Sequence, residues 1–300
     1  MERVNVSRRQ LMALGMATGV AVGVGGGIAR GDASGGNVRY PGYSVEDWGK
    51  PYAGFMAERT VPARASVIDA YSGAPVASDL IPEFRALVRD LAPDGYSVVE
   101  TGYGQKTSGE VWVAVHTPMP GVSARMWEWW FGWHLVESAR YKLWHPDAHM
   151  FAEIAVDQRD SAGYVGKVSF VDEYIGARLQ QLAIGFRDPV AHGFTVPDGQ
   201  AVIFGRVGSS VAPVDLGWLA HQVRPVPGGC EMRSRFYLGR YGAHGPDPVY
   251  AARAIQRGAA ADPRDLLPGL DLARDLLLHC GQEMNHLAGF LPELYARFGD

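Results

Sequence analysis

Thiols are scarce in this chain: its 300 residues include two cysteines, Cys230 and Cys280. No C-x-x-C pair occurs, which excludes a thiolate zinc knuckle. The two cysteines are left to form one disulfide in an oxidising compartment or to stay as buried free thiols. Basic charge is short as well, with 28 Lys and Arg against 32 Asp and Glu and a net charge of −4. Nucleic-acid binding needs a basic footprint, so a nucleic-acid partner is excluded. Strongly apolar runs never reach the ~20 residues of a membrane-spanning helix. There is no internal repeat and no low-complexity stretch beyond a Gly-rich start.

What is present describes a globular protein. Apolar residues make up 47% and charged residues 20%, enough for a substantial core in one large domain or a domain with a smaller accessory segment. The N-terminus reads Ser7-Arg8-Arg9-Gln10-Leu11-Met12, then an apolar run over 11–24 and small residues up to position 33. Basic residues, an apolar core and a small-residue exit form a twin-arginine (Tat) signal over 1–33. It implies the Tat export machinery as a partner and a periplasmic or extracellular destination. That route carries folded proteins, so a metal can be inserted before export.

Residues 34–94 are broken by Pro41, Pro51, Pro62, Pro75 and Pro82 and read as an irregular accessory segment with one helix over 81–91. Strands follow over 96–103 and 110–116, where Pro118 and Pro120 stop the second. Ser123 can cap a helix over 123–138. Six β-rich stretches come next, at 149–156, 164–174, 178–186, 200–207, 216–224 and 230–238, with turn residues between them. No crossover of helix length separates most neighbours, so the sheet is antiparallel. The end of the chain is helical: Pro268 suits the first turn, residues 270–287 recur at helical spacing, and Pro292 interrupts the helix near its end. A long antiparallel sheet closed by a C-terminal helix predicts an α+β helix-grip fold over 95–300.

Four groups of residues can carry chemistry. His279 and Glu283 sit at i and i+4 of the last helix, on one face about 6 Å apart, which suits a nitrogen and an oxygen on one metal. His286 continues that face. The stretch from Trp127 to His149 interleaves His134, Tyr141, His145 and His149 with tryptophans, as a pocket for a flat aromatic ligand would. Any of the three histidines there can be a ligand by spacing alone. Asp172 and Glu173 point to opposite strand faces, so one of them faces inward, where a carboxylate needs a partner or a metal. His221 can polarise a substrate oxygen and Tyr237 can hydrogen-bond one, in a hairpin around residues 225–229.

The blocks W-W-F-G-W-H, R-Y-K-L-W-H-P-D-A-H, H-Q-V-R, C-E-M-R-S-R-F and H-C-G-Q-E occur in this order. Together they resemble the diacetylphloroglucinol hydrolase family over residues 96–299. The resemblance implies a helix-grip catalytic domain with an N-terminal part in dimer contacts, hence a homodimer. It also implies hydrolysis of the carbon–carbon bond between an acyl group and a phenolic ring, on Zn2+ held by two histidines and two glutamates. Carried over by position, the ligands are His149, Glu173, His279 and Glu283. His149 is taken over His145 because the family's pattern ends that stretch on a histidine after an acidic pair, although the pair here is Asp147-Ala148. Tyr141 matches a substrate-contacting tyrosine and His221 the non-ligand catalytic histidine. Tyr237 matches a second tyrosine, unless a slip of one places Phe236 there. Ala152 stands where an Asn is expected. Two rival readings compete with this one: a non-catalytic helix-grip carrier of an aromatic or lipid ligand, and a non-haem metal oxygenase, since the same ligands suit iron.

Overall fold

Eight strands form one antiparallel sheet in the computed structural model, which describes residues 42–155, 163–239, 247–258 and 266–299. They are β1 (Gly102–Gln105), β2 (Val111–Pro120), β3 (His149–Ile154), β4 (Val168–Ile175), β5 (Arg178–Arg187), β6 (Ala201–Ser209), β7 (Asp215–Val226) and β8 (Gly229–Leu238). Short turns set the pairings. Between β7 and β8, Val226 opposes Gly229, and Gly228 takes φ 83° after Pro227, whose ring presets its own φ. The sheet order is β1-β2-β8-β7-β6-β5-β4-β3. The chain therefore leaves β2 near one edge and re-enters as β3 at the other. The connection carries α3 (Ala124–Trp133), which the Ser123 side chain caps, and α4 (Ser138–Trp144).

The long helix α6 (Leu270–Ala288) packs on β1 and β2 at one edge and on β4 near the other, so the sheet curls around it. This is the expected helix-grip arrangement. Its main core lies between the concave face and α6, with α1 (Ala65–Ser72), α3 and α4 closing the sides. The convex face is covered too. Ile81, Leu87 and Leu91 pack there with Trp112, Phe204 and Tyr237, and α5 (Pro248–Gln256) lays Tyr250 against Phe170 and Ala183. Residues from the 34–94 segment thus contribute to both cores, and the described residues fall in one compact unit. Burial on both faces leaves even alternating polar side chains such as Arg233 and Arg235 inside the protein.

Several boundaries differ from the sequence reading. The 123–138 helix ends at Trp133, a 3-10 turn spans His134–Val136, and α4 starts anew after Glu137, which is extended at φ −152°. Strand β2 runs through both prolines to Pro120. Only Val111–Ala114 pair with β1, so the far half has one ladder neighbour, and prolines are tolerated on such an edge. The 81–91 helix shrinks to a 3-10 turn at Phe84–Ala86 and α2 (Leu87–Asp90). Proline at the first turn starts α7 (Leu291–Phe298) where it was expected to interrupt a helix. Cys230 and Cys280 are buried free thiols. The twin-arginine segment over 1–33 lies outside the described residues.

A candidate metal centre and its cavity

Three elements place the candidate ligands. Strand pairing sets His149 of β3 opposite Glu173 of β4, and both turn to the concave face. Asp172, one residue earlier, turns outward and pairs with Arg257 at 3.0 Å. Helix α6 then presents His279 and Glu283, one turn apart, to the same point. His149, His279 and Glu283 can offer ligand atoms that all lie within 4.8 Å of one another. His149 Nε2 is 3.4 Å from His279 Nε2, 3.4 Å from Glu173 Oε2 and 3.5 Å from Glu283 Oε2. His279 Nε2 is 3.8 Å from Glu283 Oε2 and 4.0 Å from Glu173 Oε2. Ligand atoms around a tetrahedral ion with bonds of ~2.0–2.1 Å are roughly 3.3–3.4 Å apart. His149, His279 and Glu283 fit such an ion with small adjustments, and Glu173 stands 3.4 Å from His149 as a candidate fourth ligand.

The imidazoles are set for ligation before any ion arrives. His149 Nδ1 lies 3.0 Å from the Tyr141 carbonyl and His279 Nδ1 3.1 Å from the Tyr174 carbonyl. A carbonyl only accepts, so each Nδ1 carries the hydrogen and each Nε2 keeps its lone pair. Tyr141 stacks on the His149 ring at 3.8 Å and 3° and donates its hydroxyl to Glu173.

Burial dominates the electrostatics here. It holds His149 well below the usual imidazole range and His279 at about 4, so both rings are neutral. It raises Glu173 to about 7, against the Tyr141 hydrogen bond, and Glu283 well above its ordinary value. Elsewhere buried carboxylates meet a guanidinium: Glu231 faces Arg224 at 2.6 Å, Glu100 faces Arg233 at 2.6 Å, and Asp90 faces Arg235 at 2.7 Å. Glu173 and Glu283 have only the two histidines as ion-pair partners among the described residues. Two buried acids without a cation beside two ring nitrogens with free lone pairs form a donor set that a divalent ion satisfies.

The cluster opens on a cavity enclosed by the concave face, α3, α4 and α6. Phe131, Trp144 and Phe186 wall it, and His134, Tyr141, Ser169 and His221 supply its polar groups. His134 donates Nδ1–H to the Trp130 carbonyl at 2.7 Å, so its Nε2 is the acceptor. His221 Nδ1 lies 2.8 Å from the Ser234 hydroxyl. Burial alone lowers His221 to about 3 and keeps it neutral.

The structure thus brings His149, Glu173, His279, Glu283, Tyr141 and His221 together. It does not bring Tyr237, and this corrects the sequence expectation. On β8 side chains alternate, so Phe236 lines the cavity while Tyr237 lies on the convex face with Phe84 at 5.4 Å. His145 stands beside the cluster, stacked on His279 at 4.7 Å, with Nδ1 on the Thr60 hydroxyl at 2.8 Å. His286 accepts from the Val61 N–H at 3.2 Å and takes no part. Sequence reasoning missed Ser169, whose buried hydroxyl has no partner among the described residues, and the Ser234 hydroxyl that meets His221. Ser169 was findable, since it lies four residues before Glu173 and period two puts both on one face.

Similar proteins carry names that bear on this site. The chain is 32% identical over 269 residues to a 2,4-diacetylphloroglucinol hydrolase from Pseudomonas sp, covering 83% of this chain and 89% of that one. A protein of the same name from Pseudomonas protegens is 32% identical over 269 residues, covering 83% and 85%. A phloretin hydrolase from Eubacterium ramulus is 27% identical over 286 residues, covering 88% and 97%. Residues 80–296 match the family described as DAPG hydrolase PhiG domain, and the chain belongs to that family.

Proposed function

We propose that the protein is a zinc-dependent hydrolase that cleaves the carbon–carbon bond between an acyl group and a phenolic ring. One observation carries this reading: a buried cluster of His149, His279 and Glu283, with both Nε2 atoms freed for a metal and Glu173 beside it, opens onto an aromatic cavity with hydrogen-bonding groups. The names of the relatives supply the substrate class.

His149, His279, Glu173 and Glu283 would hold the ion. Bound there, zinc supplies Lewis acidity and lowers the pKa of a coordinated water. The protein groups do the rest. Phe131, Trp144 and Phe186 sandwich the ring and keep bulk water out. His134 accepts a hydrogen bond from a ring hydroxyl at Nε2, His221 Nε2 meets a second hydroxyl, and Ser169 meets another. Tyr141 stays protonated, because burial and the Glu173 charge push its pKa well above 10, so it acts as a donor. Overall, the water oxygen bonds the acyl carbon, the acyl–ring bond breaks, and the ring carbon takes a proton. The products are a carboxylic acid and the deacylated phenol.

The test is the release of acid and phenol from acylated phloroglucinols by purified protein without oxygen, which also separates the hydrolase from an oxygenase. His279→Ala should lose bound zinc and turnover together. Retention of full activity by that variant contradicts the proposal.

Export through the Tat machinery, a destination outside the cytoplasm and a homodimer belong to the same reading, supported by Arg8-Arg9 with the following apolar run and by the family resemblance. Lysine at both arginines should hold a reporter fused to residues 1–40 in the cytoplasm.

A further inference from the structure

A second cavity adjoins the first, and Glu173, Ile184, Leu219, Phe236 and Leu276 line both. Three elements change character at this border. On β4, Ser169 and Val171 face the first cavity, Glu173 both, and Ile175 the second. On β7, His221 faces the first, Leu219 both, and Leu216 the second. On α6, Glu283 and His279 face the first, Leu276 both, and Leu272 the second. The spacings of four and three along α6 keep this stripe on one helix face. Polar groups give way to aliphatic ones at the same level on each element. In the second cavity only Glu173 and Gln180 are polar.

We propose that the second cavity is an acyl-chain subsite and that the substrates are phenols bearing an extended aliphatic acyl group. This rests on the hydrolase reading above. A polyhydroxylated ring placed in the second cavity would leave most of its hydroxyls unpartnered, which is costly, whereas an alkyl chain needs no partner. The first cavity offers His134, Ser169 and His221 to those hydroxyls. The scissile bond then lies at the border, beside Glu173, with the ring on one side and the chain on the other. The sheet wall of the subsite runs from β4 to β8, five strands at ~4.8 Å spacing, or roughly 19 Å. An acetyl group would leave nearly all of this apolar surface unfilled.

The experiment compares kcat/KM of the metal-loaded full chain for phloroglucinols carrying acetyl, butanoyl, hexanoyl and octanoyl groups. Each methylene buried in the subsite should raise kcat/KM about fourfold, so hexanoyl should exceed acetyl by on the order of 100-fold. A flat or falling series overturns the subsite. If no member is hydrolysed, the hydrolase reading fails separately, and the subsite is read from affinity for the same series by quenching of tryptophan emission. Affinity that rises with chain length supports it, and constant affinity overturns it. Leu272→Phe on the helix and Leu182→Phe on the sheet should each lower the hexanoyl-to-acetyl ratio at least tenfold, a ratio that does not depend on the folded fraction. An unchanged ratio in both overturns the proposal.

Discussion

His149, His279 and His134 each donate Nδ1–H to a backbone carbonyl, which leaves Nε2 as the working nitrogen of all three. His221 is held differently, by the Ser234 hydroxyl 2.8 Å from its Nδ1. Ser234→Ala removes that anchor without touching the cavity wall. It should lower kcat about 10- to 100-fold while zinc content stays at the wild-type level; unchanged kcat would show that His221 needs no such anchor. Tyr237→Phe acts on the other side of the sheet and should leave kcat/KM within about twofold and stability within about 1 kcal/mol. The four ligand candidates were legible because their motifs are long and ordered. Choosing His149 over His145 needed the family pattern, and the fold gives the physical reason, since the β3–β4 pairing aims His149 at Glu173. Tyr237 was misplaced because both faces of β8 are buried, so apolar alternation does not reveal which parity faces the cavity.

Helix α6 carries two ligands and must lie close to the N-terminal segment. A Cβ at Gly281 would stand 2.6 Å from a Val67 methyl, and Val67 is a buried, branched side chain on α1. Gly281→Ala gains roughly 1 kcal/mol of helix propensity and meets an overpacking cost of about 1–3 kcal/mol. The clash should win, with net destabilisation of about 1 kcal/mol in denaturant melts and weaker zinc retention as α6 shifts. A more stable variant would show that α1 yields freely. The elements themselves were readable where a pattern repeats, as in the six strands from β3 to β8 and in α6. They were unreadable where context decides. Glu137 breaks one expected helix in two, α1 and α5 lack a long apolar period, and β2 continues past its prolines only because β1 is short.

Over the whole molecule, the convex face is tied to the segment over 90–100 by a buried ionic network. Arg233 and Arg235 are fully buried and meet Asp90, Ser97 and Glu100. Burial works to raise the Glu100 pKa, but the hydrogen bond from Arg233 and the charge of Arg235 outweigh it and hold the group at about 2, below its ordinary value of 4.5. A folded-state pKa below the unfolded one gives stability that is present above about pH 4.5 and lost as pH falls toward 2. Denaturant midpoints should therefore drop over that window, and Glu100→Gln should be less stable at neutral pH yet show a flatter acid limb. Equal slopes for both proteins would remove Glu100 from the account.

The proposed function requires one zinc ion held by His149, Glu173, His279 and Glu283 and needed for acyl-phenol hydrolysis. Its most direct measurement is the zinc content per chain of purified protein, followed through chelation and re-addition together with the rate of acid release. The account predicts one zinc per chain, loss of rate with loss of zinc, recovery on re-addition, and neither zinc nor rate in Glu283→Gln. Full turnover by protein stripped of metal would contradict it.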